Sequence, residues 1–270
     1  MPRRTRAALT ETFRSSLRTR ARGHATAWIY PMTILHVTDF HFNKRWFHWL
    51  SDHAPSHDLL VMSGDMLNLS DPAPHARQID WVSDWINEYP RPMCVCSGNH
   101  DLEWDAETEL WTPAYWLRNL SNPKVWSDRQ RVEFDGFSVL NIGCTTRPKG
   151  GDADIWIVHA PPTKTLVATR TSGRDAGDPD LAGPIRRYTP RAVLSGHVHD
   201  PLHWCERTDS TLYLNPGRTQ DAPFPNHILL TTQDMSCQLI TAKAHVTLES
   251  LEAPTSRAAA EDAGVLTSVA

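Results

Sequence analysis

Five short apolar runs, each ending in polar residues, constrain the fold of this chain more than any other feature. Runs of this length that are rich in β-branched and aliphatic residues are typical of strands buried on both faces. A helical pattern over 75–89 separates two of them, with Val82 and Ile86 on its apolar face. The alternation of strands with helical segments predicts an α/β domain. The five runs are TILHVTD (33–39), DLLVMSGD (58–65), PMCVCSGN (92–99), DIWIVHAPP (154–162) and RAVLSGHVH (191–199).

Weaker patterns fill the intervals between and after these runs. Residues 107–120 are predicted to be helical in part, with a break near Pro113. Residues 131–143 are predicted to form a hairpin or a bent strand pair that turns at Asp135-Gly136. Two further segments are expected to be strands, at 211–217 and 227–242.

Composition places the chain among folded, globular proteins. It has 270 residues, an apolar fraction of 40% and a formal net charge of −4, which suits one large α/β domain or two small ones. Its five Cys are an odd set without a CxxC pair. They indicate neither a disulfide framework nor a zinc knuckle, and they favour a reducing, cytoplasmic location. No run of about 18 apolar residues occurs, which excludes an ordinary membrane-spanning helix, so no membrane partner is expected.

Charge and composition divide the chain into three parts. Residues 1–31 carry seven Arg against one Glu, whereas the remainder is acidic. This segment fits a basic arm, an organellar transit segment or sequence upstream of the true start, and we expect a disordered extension. It lacks the apolar stretch of a secretory signal. One domain is expected over 32–246, and a loose C-terminal tail rich in Ala, Ser, Thr and Glu is expected over 247–270.

Polar residues follow all five apolar runs, at the point where each predicted strand ends. In open α/β folds, ligands bind in the crevice beyond the carboxyl ends of the strands. Taken singly, each of these residues has an ordinary explanation as a hydrogen-bonded histidine, a turn residue or a helix cap. Five strand ends that deliver carboxylate, amide or imidazole groups to one edge instead predict a functional site. The candidates are Asp39, His41, Asp65, Asn99, His100, Asp101, His159, His197 and His199.

The chemistry of this set favours transition metals. Mn, Fe, Zn and Co accept imidazole nitrogen together with carboxylate oxygen, whereas Ca and Mg prefer oxygen alone. Two ions about 3.5–4 Å apart need a shared anionic ligand to reduce their mutual repulsion. Asp65 stands in the middle of the set and follows the flexible Gly64. We therefore expect Asp65 to bridge two divalent or trivalent transition-metal ions.

Five motifs in this chain resemble those of the calcineurin-like metallophosphoesterases. The family pattern runs DxH, GDxx(D/N), GNH(D/E), H and GHxH, and all five occur here in the same order within residues 32–217. The resemblance implies two mixed β-sheets packed in an α/β/β/α sandwich. The motifs stand here as DFH (39–41), GDMLN (64–68), GNHD (98–101), VHAPP (158–162) and GHVH (196–199).

The resemblance also divides the metal ligands into two groups. In both groups Asp65 would be the shared ligand. One ion would be held by Asp39, His41 and His199, and the other by Asn99, His159 and His197.

Two neighbouring residues receive catalytic roles from the same resemblance. His100 would not bind metal but would face the scissile phosphate and donate a hydrogen bond or a proton to the leaving oxygen. Asp101 would hold the other ring nitrogen of His100 and so fix its tautomer.

The resemblance implies a hydrolase that cleaves phosphoester bonds with a hydroxide activated by two metal ions. Phosphodiesters, cyclic nucleotides among them, are the expected substrates, because the segment GDMLNLS (64–70) lacks the phosphate-binding Arg of the protein phosphatase branch. The alternatives are a phosphomonoesterase or a nuclease of the same superfamily, or a non-catalytic scaffold. A scaffold would typically have lost ligands, and none is missing here.

A connection between two of the strands carries further candidates. Residues 163–190 contain Lys164, Arg170 and Arg174, which either contact substrate or belong to an ordinary solvated loop followed by a helix. Any of the three would favour a monoesterase if it folded over the metals. The expected partner is a small phosphoester substrate, nucleic acid is not expected, and the oligomeric state stays open.

Overall fold

The computed structural model describes residues 31–134, 136–146, 151–208 and 210–248. Its helices are α1 (Lys44–His53), α2 (His75–Glu88) and α3 (Ala182–Tyr188), with short 3-10 turns at Ala54–Ser56 and Tyr115–Asn119. Its strands are β1 (Thr33–Val37), β2 (Leu59–Ser63), β3 (Met93–Cys96), β4 (Glu103–Asp105), β5 (Leu110–Thr112), β6 (Val125–Trp126), β7 (Arg131–Phe134), β8 (Phe137–Ile142), β9 (Ile155–Val158), β10 (Ala192–Leu194), β11 (Cys205–Thr208), β12 (Thr211–Leu214), β13 (His227–Thr231), β14 (Cys237–Ile240) and β15 (His245–Leu248).

Two mixed sheets form the centre of the fold. The first has seven strands in the order β15-β14-β13-β1-β2-β3-β6, of which β1, β2, β3 and β6 are parallel. The second has six strands in the order β11-β12-β10-β9-β8-β7, of which β12, β10, β9 and β8 are parallel. Antiparallel strands complete each sheet. Because the parallel strands share a direction, their carboxyl ends lie at one edge of each sheet.

Side chains bury both faces of each sheet, which explains why the central strands are apolar without alternation. Between the sheets, Val61 packs in one cluster with Ile157 and Leu194. The outer face of the first sheet packs against α1 and α2, and the outer face of the second packs against α3. These layers are the α/β/β/α sandwich that the motifs implied, so this expectation is confirmed. All five cysteines are free.

The prediction of a partial helix over 107–120 is wrong in its first half. Leu110–Thr112 is strand β5, which pairs antiparallel with β4, so that Trp104 faces Trp111. The carboxylate of Asp105 accepts a hydrogen bond from the backbone N–H of Glu107 at 2.9 Å. This local turn competes with helix formation, and the two Trp rings, 5.4 Å apart, add a cross-strand contact. A single 3-10 segment follows at Tyr115–Asn119.

The predicted hairpin is confirmed, whereas most of the predicted extension and tail lies outside the described residues. The hairpin over 131–143 is present as β7 and β8, with Asp135 itself outside the described residues. The expected extension at 1–31 lies outside the described residues except for its last position. The expected tail at 247–270 lies outside them beyond the end of β15. Within the described part of the chain, no helix is both long and apolar enough to cross a bilayer.

Candidate metal centre

A first cluster forms where β1 and β10 end. Asp39 and His41 follow β1, and His199 lies in the loop after β10. The Nε2 atoms of His41 and His199 are 3.0 Å apart, and Nε2 of His199 lies 3.3 Å from Oδ1 of the fully buried Asp39. Two imidazole nitrogens that approach each other beside a carboxylate can direct their lone pairs to one common position. This donor geometry suits a metal ion.

A second cluster forms where β3, β9 and β10 end. Oδ1 of Asn99 lies 3.1 Å from Nε2 of His159 and 3.0 Å from Nδ1 of His197, and these two ring nitrogens are 3.3 Å apart. Nδ1 of His159 donates to the backbone carbonyl of Ser63 at 2.9 Å. In the neutral ring, Nε2 of His159 therefore carries a lone pair that faces the cluster, as a metal ligand requires.

Asp65 lies between the two clusters. Its Oδ1 is 3.3 Å from Nε2 of His159, and its Oδ2 is 3.9 Å from Nε2 of His41. A carboxylate that faces both clusters can be shared by two cations. The structure thus brings all seven predicted ligands together at one edge. Within the described residues, three His/Asp groups have ligand atoms within 4.8 Å of one another: Asp39–His41–His199, His41–Asp65–His100 and Asp65–His159–His197.

Electrostatics shows that the centre has an excess of negative charge. Burial alone would lower the pKa of His159, but the carboxylates of Asp65 and Asp39 raise it to about 10. Burial would raise the pKa of Asp65, but the neighbouring His159 holds it below its usual range. For His41, burial prevails over the carboxylates and lowers the pKa to about 4. A cation bound at Asp65 would take the place of the proton that His159 otherwise holds.

The backbone at the centre adopts a conformation that favours glycine. Asp39, Asp65 and His197 have φ angles of 55°, 51° and 65°. A non-glycine residue in this left-handed region carries a strain of about 1–2 kcal/mol. Such strain persists only where the surrounding structure enforces it, and it concentrates at functional sites. Here it turns each chain segment sharply at its strand end and directs the side chain into the centre.

Gly64 precedes the predicted ligand Asp65, and Gly98 precedes Asn99, at positions where a side chain would collide with the centre. Gly64 has a φ of 92°, and a Cβ atom there would lie 2.5 Å from Nδ1 of His159. A Cβ atom on Gly98 would overlap Oδ1 of Asp65. Both glycines therefore let the backbone approach the ligands more closely than any other residue allows.

His100 borders the centre as expected from the sequence. Its Nε2 lies 4.0 Å from Oδ2 of Asp65, and its ring contacts that of His41 edge-on with centroids 4.6 Å apart. The backbone N–H of Leu69 points at Nδ1 of His100 at 3.4 Å, which favours the tautomer with the proton on Nε2. His100 can therefore direct an N–H toward a group bound in front of Asp65.

The prediction that Asp101 holds the ring of His100 is wrong. The carboxylate of Asp101 is fully buried, and it accepts hydrogen bonds from the backbone N–H groups of Gly98 at 2.7 Å and Leu67 at 2.9 Å. The tight turn after β3 directs this side chain back under the loop instead of toward the imidazole. Asp101 therefore positions the two loops that carry Asp65 and Asn99.

Of the candidate cations of 163–190, Arg170 is engaged elsewhere, since its guanidinium pairs with Asp200 at 3.3 Å. Lys164 and Arg174 contact their own loop through the backbone: the N–H of Lys164 donates to Asp175 at 2.8 Å, and the carbonyl of Arg174 accepts from the N–H of Arg170 at 2.9 Å. Sequence reasoning missed Arg218, whose backbone N–H donates to the carbonyl of His199 at 2.8 Å. Its signal was available, since Arg218 follows another strand that ends at the same edge.

A substitution at Asp65 tests the shared ligand. We expect the wild-type chain to hold about two Mn²⁺ ions and Asp65→Asn to lose most of both, because Asn keeps the shape but not the charge. The measurement is metal content by mass spectrometry after gel filtration. Asp84→Asn, an exposed carboxylate on α2, is the matched control. One ion in the wild type, or an unchanged content in Asp65→Asn, would contradict the shared-ligand arrangement.

The sequence and the fold both have known relatives. The family model of the calcineurin-like phosphoesterases matches residues 32–201, which is more than half of the chain. No curated protein matches the sequence. TT1561 of Thermus thermophilus is a structural neighbour with 14% identity and a TM-score of 0.55, covering 79% of this chain and 100% of that chain.

A second neighbour is purple acid phosphatase PPD1 from seeds of yellow lupin, Lupinus luteus. It has 13% identity and a TM-score of 0.52, covering 82% of this chain and 53% of that chain. At these identities the neighbours show the fold alone, whereas the family match rests on the sequence. The chain therefore belongs to the calcineurin-like phosphoesterase family and is a phosphoric ester hydrolase.

Proposed function

We propose that this hydrolase acts on small phosphodiesters, cyclic nucleotides among them, with two transition-metal ions. The observation that carries the proposal is the meeting of two His/Asp clusters at Asp65, with His100 beside them. Bound metal ions would acidify a water for attack on phosphorus and neutralise the phosphate oxygens. Mn, Fe, Zn and Co suit the site because its donors mix imidazole with carboxylate.

His100 is the group of this chain that serves the leaving oxygen. With the Leu69 amide at Nδ1, the ring presents Nε2–H on the side of Asp65, where the phosphate would bind. The carbonyl of His100 also lies 3.2 Å from Nε2 of His75, which helps to fix this stretch of backbone. A positioned N–H lowers the charge that develops on the departing alkoxide.

The preference for diesters follows from charge. A diester brings one negative charge, so it needs fewer cationic contacts than the dianion of a monoester. In the segment after Asp65, Leu69 stands at the position where the protein phosphatases carry an Arg. Leu69 is 43% exposed and forms an apolar rim beside His100. Such a rim suits a second ester group.

An exposed pair of tryptophans supports a substrate with an aromatic group. Trp104 and Trp111 on the β4–β5 hairpin are 52% and 47% exposed. The ring of Trp111 lies 6.1 Å from that of His75, which in turn contacts the carbonyl of His100. Nucleobases stack on such exposed aromatic rings whatever their sequence. The pair therefore offers a surface for the base of a nucleotide ester.

The alternatives differ in the charge of the substrate. A phosphomonoesterase needs a second anion contact, and a nuclease needs a basic groove for a polyanion. The hairpin that carries the tryptophans has no Lys or Arg over 102–112. It therefore repels a nucleic acid backbone but admits a small ester. The hairpin carboxylates are Glu103, Asp105, Glu107 and Glu109.

Substrate preference tests the proposal. With the Mn²⁺-loaded full chain, we expect a higher kcat/KM for bis-p-nitrophenyl phosphate than for p-nitrophenyl phosphate, and hydrolysis of 2′,3′- or 3′,5′-cyclic nucleotides. The reason is the single charge and the apolar rim at Leu69. The two nitrophenyl esters share a leaving group, so the comparison isolates the second ester. A higher kcat/KM for the monoester would contradict the proposal.

The tryptophan pair supplies the matched variants for this experiment. Trp111→Ala should raise KM for a cyclic nucleotide roughly 5- to 100-fold, the range expected for loss of one stacked base. The same variant should leave a cyclic phosphate without a base unaffected. Val246→Ala removes an exposed apolar side chain on the distant edge strand β15 and serves as the control. An unchanged KM in Trp111→Ala would contradict the stacking role.

His100 provides a separate prediction about the leaving group. His100→Ala should keep its metal content and lose kcat by roughly 10²- to 10⁴-fold for diesters of alkyl alcohols. The loss should shrink for p-nitrophenyl esters, since p-nitrophenolate departs without assistance. Single-turnover kinetics on both ester types, with metal analysis of the same samples, measures the difference. Loss of metal in His100→Ala would instead make this residue a ligand.

A further inference from the structure

Arg218 lies beside the metal centre, and the proposed mechanism gives it no task. It follows the end of β12, which is the neighbour of β10 in the second sheet. Its backbone N–H donates to the carbonyl of the predicted ligand His199 at 2.8 Å. Arg218 therefore starts from the same edge of the fold as the ligands.

The turn before Arg218 fixes this position. The amide nitrogen of Asn215 donates to the carbonyls of Gly196 and Val198, each at 3.0 Å. Its oxygen accepts from the backbone N–H of Gly217 at 2.9 Å, and Gly217 has a φ of 62°. The fully buried Asn215 thus joins the turn to the loop that carries the two histidines. The backbone of Arg218 is held relative to them by these bonds.

The side chain of Arg218 packs over the ring of Trp46. Its guanidinium carbon lies 5.6 Å from the ring centroid of Trp46. Trp46 is itself held by a hydrogen bond from its Nε1 to the carbonyl of Ala222 at 2.9 Å. An arginine stacked on a buried ring loses little further freedom when it binds a planar or tetrahedral anion.

The guanidinium has no anionic partner in the described part of the chain. Its Nε is buried without a hydrogen bond, and within the described residues the carboxylates of Asp39 and Asp221 act on its charge without forming an ion pair with it. Arg170, by comparison, is neutralised by Asp200 at 3.3 Å. A partly desolvated cation without a partner is unfavourable unless an anion arrives.

The charge of Arg218 reaches the first ligand cluster. Burial lowers the pKa of Arg218, and the carboxylates of Asp39 and Asp221 oppose this. Packing places the side chain beside the same cluster: Trp46, which the guanidinium overlies, contacts Phe40 edge-on with ring centroids 5.6 Å apart, and Phe40 lies between Asp39 and His41 in the chain. The guanidinium is therefore next to the segment that carries these two predicted ligands.

We propose that Arg218 binds a non-bridging oxygen of the substrate phosphate, next to the metal ions. This inference rests on the proposed function in that the bound anion is a phosphate ester. The guanidinium fork matches the geometry of phosphate oxygens and forms charge-assisted hydrogen bonds with them. Arg218 thus supplies a phosphate contact from outside residues 163–190. Because it neutralises charge, it assists dianions more than monoanions, and it therefore narrows, without reversing, the diester preference that the apolar rim at Leu69 favours.

Binding of inorganic phosphate tests this role without relying on catalysis. Calorimetric titration of the Mn²⁺-loaded full chain should show that Arg218→Met raises the Kd of phosphate roughly 10- to 100-fold. Met keeps an apolar stem over Trp46 but removes the charge. Arg218→Lys should restore part of the affinity, and the Mn²⁺ content of both variants should equal that of the wild type.

The control is Arg91→Met. Arg91 precedes β3, at the sheet edge opposite the centre, and it pairs there with Asp58. It should leave phosphate affinity unchanged. Arg218→Met should also raise the ratio of diester to monoester kcat/KM. A wild-type phosphate affinity in Arg218→Met, or loss of Mn²⁺ from it, would overturn the inference. Absence of hydrolysis by the wild type would overturn the proposed function instead, and the titration would still decide the role of Arg218.

Discussion

Two carboxylates are buried where the two sheets meet, and their charge must be compensated by the groups around them. Asp39 and Asp65 are 0% and 2% exposed, and charges removed from water in this way need cations nearby. Imidazoles surround them but carry no permanent charge. Without metal, the carboxylates attract protons, as the raised pKa of His159 shows. Bound metal cations would resolve this imbalance, and neighbouring groups hold the carboxylates in position: the hydroxyl of Thr38 donates to Asp39, and the backbone N–H of His100 donates to Asp65.

The candidate metal centre contains residues from both sheets, and hydrogen bonds between them join the sheets. The first sheet contributes the carboxylates, and the second contributes His159 and His197. His159 donates across the junction to the carbonyl of Ser63, and the backbone N–H of His197 donates to Asp39 at 2.9 Å. Ions shared by these groups would therefore tie one sheet to the other. Metal binding and folding stability are expected to be linked through this junction.

Sequence reasoning located the centre because its signal is local. Each ligand follows an apolar run directly, so strand ends and residue types were enough to bring seven ligands to one edge. Sequence reasoning failed where the direction of a side chain determines which group it contacts. The turn after β3 sends Asp101 to two backbone amides and not to His100. The turn that the Asp105 carboxylate forms with the backbone N–H of Glu107 favours a hairpin in a segment whose composition predicts a helix. Arg218 was missed because the strand that it follows, β12, ends at the same edge but does not belong to any of the five motifs.

The proposed mechanism depends on one carboxylate, Asp65, that two metal ions would share. Anomalous diffraction from crystals of the full chain grown with Mn²⁺ locates such ions. We predict two peaks about 3.5–4 Å apart on either side of Asp65, one near His41 and His199 and the other near His159. A single peak, or two peaks that do not both contact Asp65, would contradict it.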